Sequence, residues 1–514
     1  MPDEQPAQLN DLQQSNMNGE TGELVETAKP VIVPGRQKWL VLIAVSIGTF
    51  MATLDGSIVN ISLPKIQEAF GVNLSTIEWV VVTYLLIRGA LMLPFGRLGE
   101  MIGYKRVYIT GFIIFTSASA LCGISQSVWM LVGFRALQAF GGAMLSAIGP
   151  AIVTYTFGSG ERGKALGLNS ISVSIGLSIG PTVGGILTEY GSWRWIFWVN
   201  IPVGIIATLW AMRVLENQVR GARQSFDLLG AFLSFTALFS LLLALVQGQS
   251  WGWVTAPIIA LIVLFAVLGT FFILTELHVK MPMLDLQLFK NWTFSAGNAT
   301  LLISFAGSFI ASFLLPFFLE QGQGFSPLRA GLLLTPIPLT TMLIAPFSGA
   351  LSDRIGEWMP ATAGMGITAL GFYFLTRISI GTSTLGFIWP LVIIGIGQGV
   401  FSSPNSSAIL GAVPQRRLGT AAGTLAQMRT NGQVVGIALG GLIVANRTPL
   451  HVASLLASHS VAQDMVQRLA LILSIHDAFY FAMAISIVAM FTAMVHGNRD
   501  RRPGNESPRA QVSE

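Results

Sequence analysis

Charged residues are scarce in this sequence. Asp, Glu, Lys and Arg make up 10% of its 514 residues, against about a quarter in a soluble globular domain. That scarcity, with a mean hydropathy of +0.66, excludes an ordinary soluble fold and leaves a chain that crosses a membrane many times. Cysteine is scarcer still: Cys122 stands alone in an apolar run, which excludes an intrachain disulfide and a thiolate metal cluster. The five histidines show no metal spacing. No phosphate-binding loop, cofactor fingerprint or nucleophile triad occurs, so neither an ATP-driven pump nor an enzyme is indicated, and no cofactor is expected. A net charge of +5 does not call for nucleic acid, because the basic residues fall mainly in short loops between apolar runs, where they orient the spans. The first 35 residues are polar and acidic and lack the start and cleavage site of a signal peptide, so the run from Trp39 reads as a retained first span.

Apolar runs of membrane-spanning length number fourteen, from 38–63 to 476–496. An even number places both termini on one side. Of the 29 Lys and Arg, three (Arg88, Arg135, Arg429) lie inside runs, six on the side away from the termini and twenty on the terminal side, which predicts cytoplasmic termini. The chain also repeats itself: Gly163, Gly167, Gly176, Gly180, Gly184 and Gly185 recur as Gly419, Gly423, Gly432, Gly436, Gly440 and Gly441, all displaced by 256 residues. The expected organisation is a polar N-terminus (1–37), a six-span half (38–213), a linker with two extra spans near 228–247 and 257–276 (214–290), a second six-span half (291–496) and a tail (497–514). Parallel six-span repeats around a central site are the plan of many secondary transporters.

Asp55 is the one acid well inside a run. An ionised carboxylate there costs about 2.5 to 3.5 kcal/mol on insertion scales, so it calls for a partner, a proton or a water-filled cavity. Rise along a helix puts Asp55 and Arg88 each about 15 Å below the outer ends of consecutive antiparallel spans. Arg88 is therefore the expected partner, with transport alternating between the ion pair and a protonated Asp55. Arg135 and Gln138 lie one turn apart in the fourth run. Asn60, Gln138, Arg429 and Gln433 are candidates to line a central cavity. One embedded acid against three embedded bases favours neutral, monocationic or amphiphilic anionic cargo over multivalent cations. Asn446 to Asp477 reads as an outward loop with an amphipathic lid helix, and its histidines His451, His459 and His476 as solvated.

Several stretches resemble one family. Gly96-Arg-Leu-Gly-Glu-Met-Ile-Gly-Tyr-Lys-Arg106, echoed by Asp353, Arg354 and their neighbours, resembles the signature loop of the major facilitator superfamily, with Glu100 where Asp is usual. The resemblance implies a charge relay at Gly96, Glu100, Gly103, Lys105, Arg106, Asp353 and Arg354 that closes in one conformation and breaks in the other. Leu131 to Ala143 is similar to the fourth-span motif, whose Arg, here Arg135, is linked to proton coupling. Gly176-Leu-Ser-Ile-Gly-Pro-Thr-Val-Gly-Gly185 matches the antiporter motif throughout, which assigns Gly176, Gly180, Pro181, Gly184 and Gly185 to the bend that shapes the cavity and limits leak. Leu54 to Pro64, Trp193 to Gly204 and the two-span insert resemble the fourteen-span drug:proton antiporters of the EmrB/QacA type. The resemblance implies an all-α major facilitator fold in a plasma or inner membrane. It also implies export of hydrophobic compounds against protons, with Asp55, Arg135 and Arg88 in coupling and a monomer working alone or with an adaptor. A dedicated exporter of one lipid, antibiotic or metabolite is the runner-up, and a non-transporting sensor or scaffold the alternative of another class.

Overall fold

With no water in the hydrocarbon core, an apolar run must satisfy its own backbone, and the chain does so by coiling into helices. The computed structural model describes residues 35–157, 161–216, 228–252, 254–279, 286–414, 418–458 and 462–500, and among them no strand occurs. The helices are α1 (Gln37–Phe70), α2 (Leu74–Ile77), α3 (Trp79–Ile102), α4 (Tyr104–Gly123), α5 (Val128–Thr156), α6 (Arg162–Tyr190), α7 (Trp195–Trp198) and α8 (Asn200–Val214). They continue as α9 (Leu228–Trp251), α10 (Ala256–His278), α11 (Trp292–Phe317), α12 (Pro327–Leu334), α13 (Pro336–Ile355), α14 (Trp358–Leu375), α15 (Thr384–Gly411), α16 (Leu418–Ser458) and α17 (Gln463–Asp500). Polar side chains define the starts: Ser127 accepts from the Met130 N–H, Asn291 from Phe294 and Ser383 from Gly386. The two signature loops turn in one way. Gly103 at φ +99° and Gly356 at φ +88° break α3 from α4 and α13 from α14 in a backbone region that a side chain disfavours.

Twelve described segments are long and apolar enough to cross a membrane. Two of the fourteen expected runs fall outside that set: 228–247 coincides with α9 and 360–377 with α14, which are helices of 24 and 18 residues. The expected lid between Asn446 and Asp477 is not a separate helix. α16 runs on to Ser458 and α17 starts at Gln463, so both spans simply project further. Asp477 ties the projections together by accepting from His451 at 2.9 Å and lying 3.5 Å from Arg447, so His451 is engaged rather than solvated. His459 lies outside the described residues.

The repeat seen in the glycines is a repeat of packing. α1 lies on α6 as α11 lies on α16, α3 on α5 as α13 on α15, and α4 on α5 as α14 on α15. In each set the glycine stripe is the contact. A Cβ on Gly180 would stand 2.8 Å from Ser57 Cβ on α1, and one on Gly436 would run into the Ala306 carbonyl on α11. The last glycine of each stripe points elsewhere, at the opposite set. Gly185 faces Pro327 and Leu328 of α12, Gly441 faces the carboxyl of Glu78, and Gly331 abuts the Pro181 carbonyl.

The seam between the sets is knitted at the end where α1 finishes, farthest from the N-terminus. Gln321 donates to Gln67 at 2.9 Å, the Leu328 N–H donates to Glu189 at 2.9 Å, and the Thr182 and Thr335 hydroxyls meet at 2.7 Å. α9 and α10 stand outside both sets: they pack on each other, and α9 also touches α3 and α16.

Gly180→Val is expected to destabilise by about 1–3 kcal/mol, because the added methyls meet Ser57 at the α1–α6 contact. Gly133→Ala, where an added Cβ meets nothing within 4 Å, is expected to be neutral or slightly stabilising. Thermal unfolding in detergent compares the two, and equal midpoints would refute the glycine-stripe account.

Candidate proton-coupling site

Asp55 sits within α1 at 0% exposure, and so does Arg135 within α5. Arg135 Nη1 donates to Asp55 Oδ2 at 2.5 Å and to Gln138 Oε1 at 2.8 Å. The other carboxylate oxygen accepts from Gln138 Nε2 at 2.8 Å and from Asn200 Nδ2, on the first turn of α8, at 3.2 Å. Ser119 on α4 closes the ring: it accepts from Gln138 and Asn200, both at 3.1 Å, and donates to the Phe197 carbonyl at 2.9 Å. Four spans thus contribute to one dry network, and three donors converge on the carboxylate.

The guanidinium is held independently of its acid. Its Nε donates to the Val80 carbonyl at 3.1 Å and its carbon lies 4.0 Å from the centre of the Tyr84 ring, within cation–π range. Nη2 is buried with no partner, so both of its N–H groups are left unused by the network. Charge-assisted bonds of this kind are about twice as strong as neutral ones, and burial raises the penalty for leaving either partner alone.

Arg88 is not the partner of Asp55. It points to α5, where its Nε donates to Ser146 Oγ at 3.1 Å. The expected match of depths fails because α1 runs on to Phe70, beyond the assumed outer end at Lys65. Asp55 is therefore level with Val80 and Tyr84: Arg135 bridges it to the Val80 carbonyl, and the Tyr84 hydroxyl reaches the Ala52 carbonyl at 3.5 Å. Arg88 lies one further turn along from Tyr84.

Gln138 is sealed in the network and is not a cavity residue. Asn60 is buried in α1 with its Oδ1 unpartnered, while Arg429 and Gln433 are half-buried on α16. Gly176, Gly180 and Gly184 back the helix that carries Asp55, against Thr53, Ser57 and Ile61, and Ser57 Oγ donates to the Gly176 carbonyl at 3.0 Å. Gly96 lies within α3, Lys105 and Arg106 open α4, and Arg354 is exposed at the end of α13. The side chains of Glu100 and Asp353 lie outside the described ones, so the charge relay is not placed. Sequence reasoning missed Asn200 and Ser119. The available signal was Asn200 itself, an amide in an apolar run two residues before Pro202, whereas Ser119 is one of several small polar residues in its span.

The Major Facilitator Superfamily profile matches residues 45–437. The chain belongs to that superfamily. Among its relatives, the riboflavin transporter RibZ of Clostridioides difficile (strain 630) is 40% identical over 404 residues, covering 78% of this chain and 87% of that protein. The multidrug resistance protein Stp of Mycobacterium tuberculosis (strain CDC 1551 / Oshkosh) is 31% identical over 411 residues, covering 80% and 76%. The multidrug transporter protein MdtP of Bacillus subtilis (strain 168) is 31% identical over 413 residues, covering 80% and 76%. A bacterial homologue of the human lysosomal transporter Spinster, solved in an inward-facing unoccupied conformation, shares the fold at a TM-score of 0.67 and 14% identity, covering 91% of this chain and 98% of that one. The transporter is thus an all-helical, multi-pass membrane protein of the major facilitator fold.

Arg135→Ala is expected to destabilise the transporter by about 3–5 kcal/mol, because it leaves the Asp55 charge buried with only the neutral amides of Gln138 and Asn200 against it. Asp55→Leu combined with Arg135→Met should recover most of that loss, since a neutral pair of similar bulk leaves no charge buried. A double-mutant cycle on unfolding midpoints measures the coupling, and strictly additive losses would mean that the pair carries no net energy.

Proposed function

We propose that this transporter exports hydrophobic and amphiphilic small molecules in exchange for protons, by alternating access, as a drug:proton antiporter of the fourteen-span EmrB/QacA type. The observation that carries the reading is the Asp55 carboxylate with Arg135 as its counter-charge, because a proton and a guanidinium compete for the same oxygens. With the proton absent, Asp55 holds Arg135; a proton on Asp55 removes the charge and releases the pair.

The network connects to the seam through one helix. Asp55 lies between Thr53 and Ser57, which abut Gly176 and Gly180 of α6, and α6 meets α12 through Pro181, Gly185 and Gly331. A shift of α1 that follows loss of the ion pair reaches the far-end seam as a rigid movement of α6 over glycine surfaces. The seam hydrogen bonds at that end fit a state closed outside and open toward the termini. In this reading both termini are cytoplasmic in an inner or plasma membrane. The proton gradient is the energy source without a cofactor, and the chain acts as a monomer, alone or with an adaptor. α9 and α14 make up the fourteen spans, beyond the twelve that meet the length and apolarity thresholds.

Similarity to Stp, a multidrug resistance protein, and to MdtP, a multidrug transporter protein, supports a multidrug range. A second reading, export of one dedicated molecule, is favoured by the 40% identity to RibZ, named as a riboflavin transporter.

Energised inverted vesicles with a proton-gradient dye provide the test. Wild type is expected to dissipate the gradient when a panel of lipophilic drugs is added, and Asp55→Asn is expected to abolish the response. A response to riboflavin alone selects the dedicated reading. An unchanged response in Asp55→Asn would sink Asp55 as the proton carrier.

A further inference from the structure

Two guanidiniums in the spans have no carboxylate partner among the described residues. Arg88, on α3, donates from Nε to Ser146 Oγ on α5 at 3.1 Å and lies 5.9 Å from the Tyr84 ring centre. Arg429, on α16, donates from Nη2 to Ser406 Oγ on α15 at 3.0 Å, lies 5.6 Å from the Phe305 ring centre, and keeps its Nε buried without an acceptor. Among the described residues no carboxylate oxygen comes within 4.0 Å of either. Asp55, the buried acid of α1, is already engaged by Arg135.

The two arginines occupy related places in the architecture. They come from opposite sets, and each reaches a serine on the corresponding helix of its own set, α5 in one and α15 in the other. They also flank a single crossing. Gly89, next to Arg88, meets Thr430, next to Arg429, so closely that a Cβ on Gly89 would stand 2.8 Å from Thr430 Cγ2. One residue is about 1.5 Å of helix, so both guanidiniums leave their helices at one depth.

A serine hydroxyl offers an acceptor but no charge. Two cations at one depth in a low-dielectric interior stay uncompensated until an anion joins them. We propose that Arg88 and Arg429 together receive the negative group of the cargo, and that the cargo is an aromatic amphiphile carrying a carboxylate or another oxyanion. The guanidinium fork suits an oxyanion, presenting parallel N–H groups to its oxygens. The half-buried rings of Phe305 and Phe309, 6.3 Å apart and inclined by 21°, give an apolar body a surface beside Arg429. A lipophilic cation at this crossing would meet two unneutralised positive charges. Because one arginine belongs to each set, the anion would also join the sets that must move relative to one another. This inference rests on the exporter reading and narrows its cargo class.

The test is binding of three matched probes to the purified full chain in detergent: a dansyl fluorophore on one alkyl chain ending in a carboxylate, a methyl ester or an ammonium group. Wild type is expected to bind the carboxylate about tenfold or more tighter than the ester, the ratio for a lost charge-assisted contact, and the ammonium most weakly. Arg88→Gln and Arg429→Gln should each erase that preference while leaving ester affinity unchanged, and the Arg→Lys variants should restore part of it. Unfolding midpoints certify each fold. Should a glutamine variant fail to fold, the wild-type ratio and the lysine variant decide. No binding of the carboxylate probe, equal binding of the three, or a preference that survives both glutamine substitutions overturns the proposal. Gradient collapse that depends on Asp55, with no preference for the carboxylate, would keep the exporter reading and reject this one; the preference without gradient collapse would do the reverse.

Discussion

The ion pair between Asp55 and Arg135 is the constraint from which much of the first helical set follows. A carboxylate and a guanidinium at 0% exposure are tolerable only if every lone pair and N–H that can be satisfied is satisfied. Gln138, Asn200 and Ser119 are drawn in from α5, α8 and α4 for that reason. The demand fixes the rotation of four helices about their axes, something apolar packing alone specifies loosely in lipid, where one aliphatic face is much like another.

Glycine supplies the complementary contact. On the opposite side of α1, Gly176, Gly180 and Gly184 meet Thr53, Ser57 and Ile61, and the close approach lets Thr49, Ser57 and Ser62 hydrogen-bond to Asn169, the Gly176 carbonyl and Thr188 of α6. One face of α1 is pinned by charge, and the other lies close on α6 through glycines and hydroxyl hydrogen bonds.

Much of this was legible in the sequence, because the features that carried information were rare. Asp55 and Arg135 stood out as charges in apolar runs, and six glycines at one offset announced a repeat that the packing of α1 on α6 and α11 on α16 reproduces. The pairing was not legible. It depended on where α1 stops, and the polar residues after Lys65 gave no sign that the helix continues to Phe70, so Arg88 seemed level with Asp55 when Val80 and Tyr84 are. Asn200 gave only a faint signal and Ser119 none, for another reason: a single amide or hydroxyl costs little in a span, so its presence hardly singles it out. The projection of α16 and α17 past the apolar runs was likewise hidden, since polar residues continue a helix where they can also form a loop.

The two helices between the sets break the symmetry of the bundle. Seen from the bilayer, the sets meet along two flanks, one formed by α3 against α16 and the other by α6 against α12 and α13. α9 lies along the first flank, touching both α3 and α16, with α10 outside it and little buried. The second flank has no such cover among the described residues. A solute already partitioned into acyl chains therefore meets a shuttered side and an unshuttered one, and the sidedness of any lateral portal is set by the placement of a linker rather than by the repeats it joins.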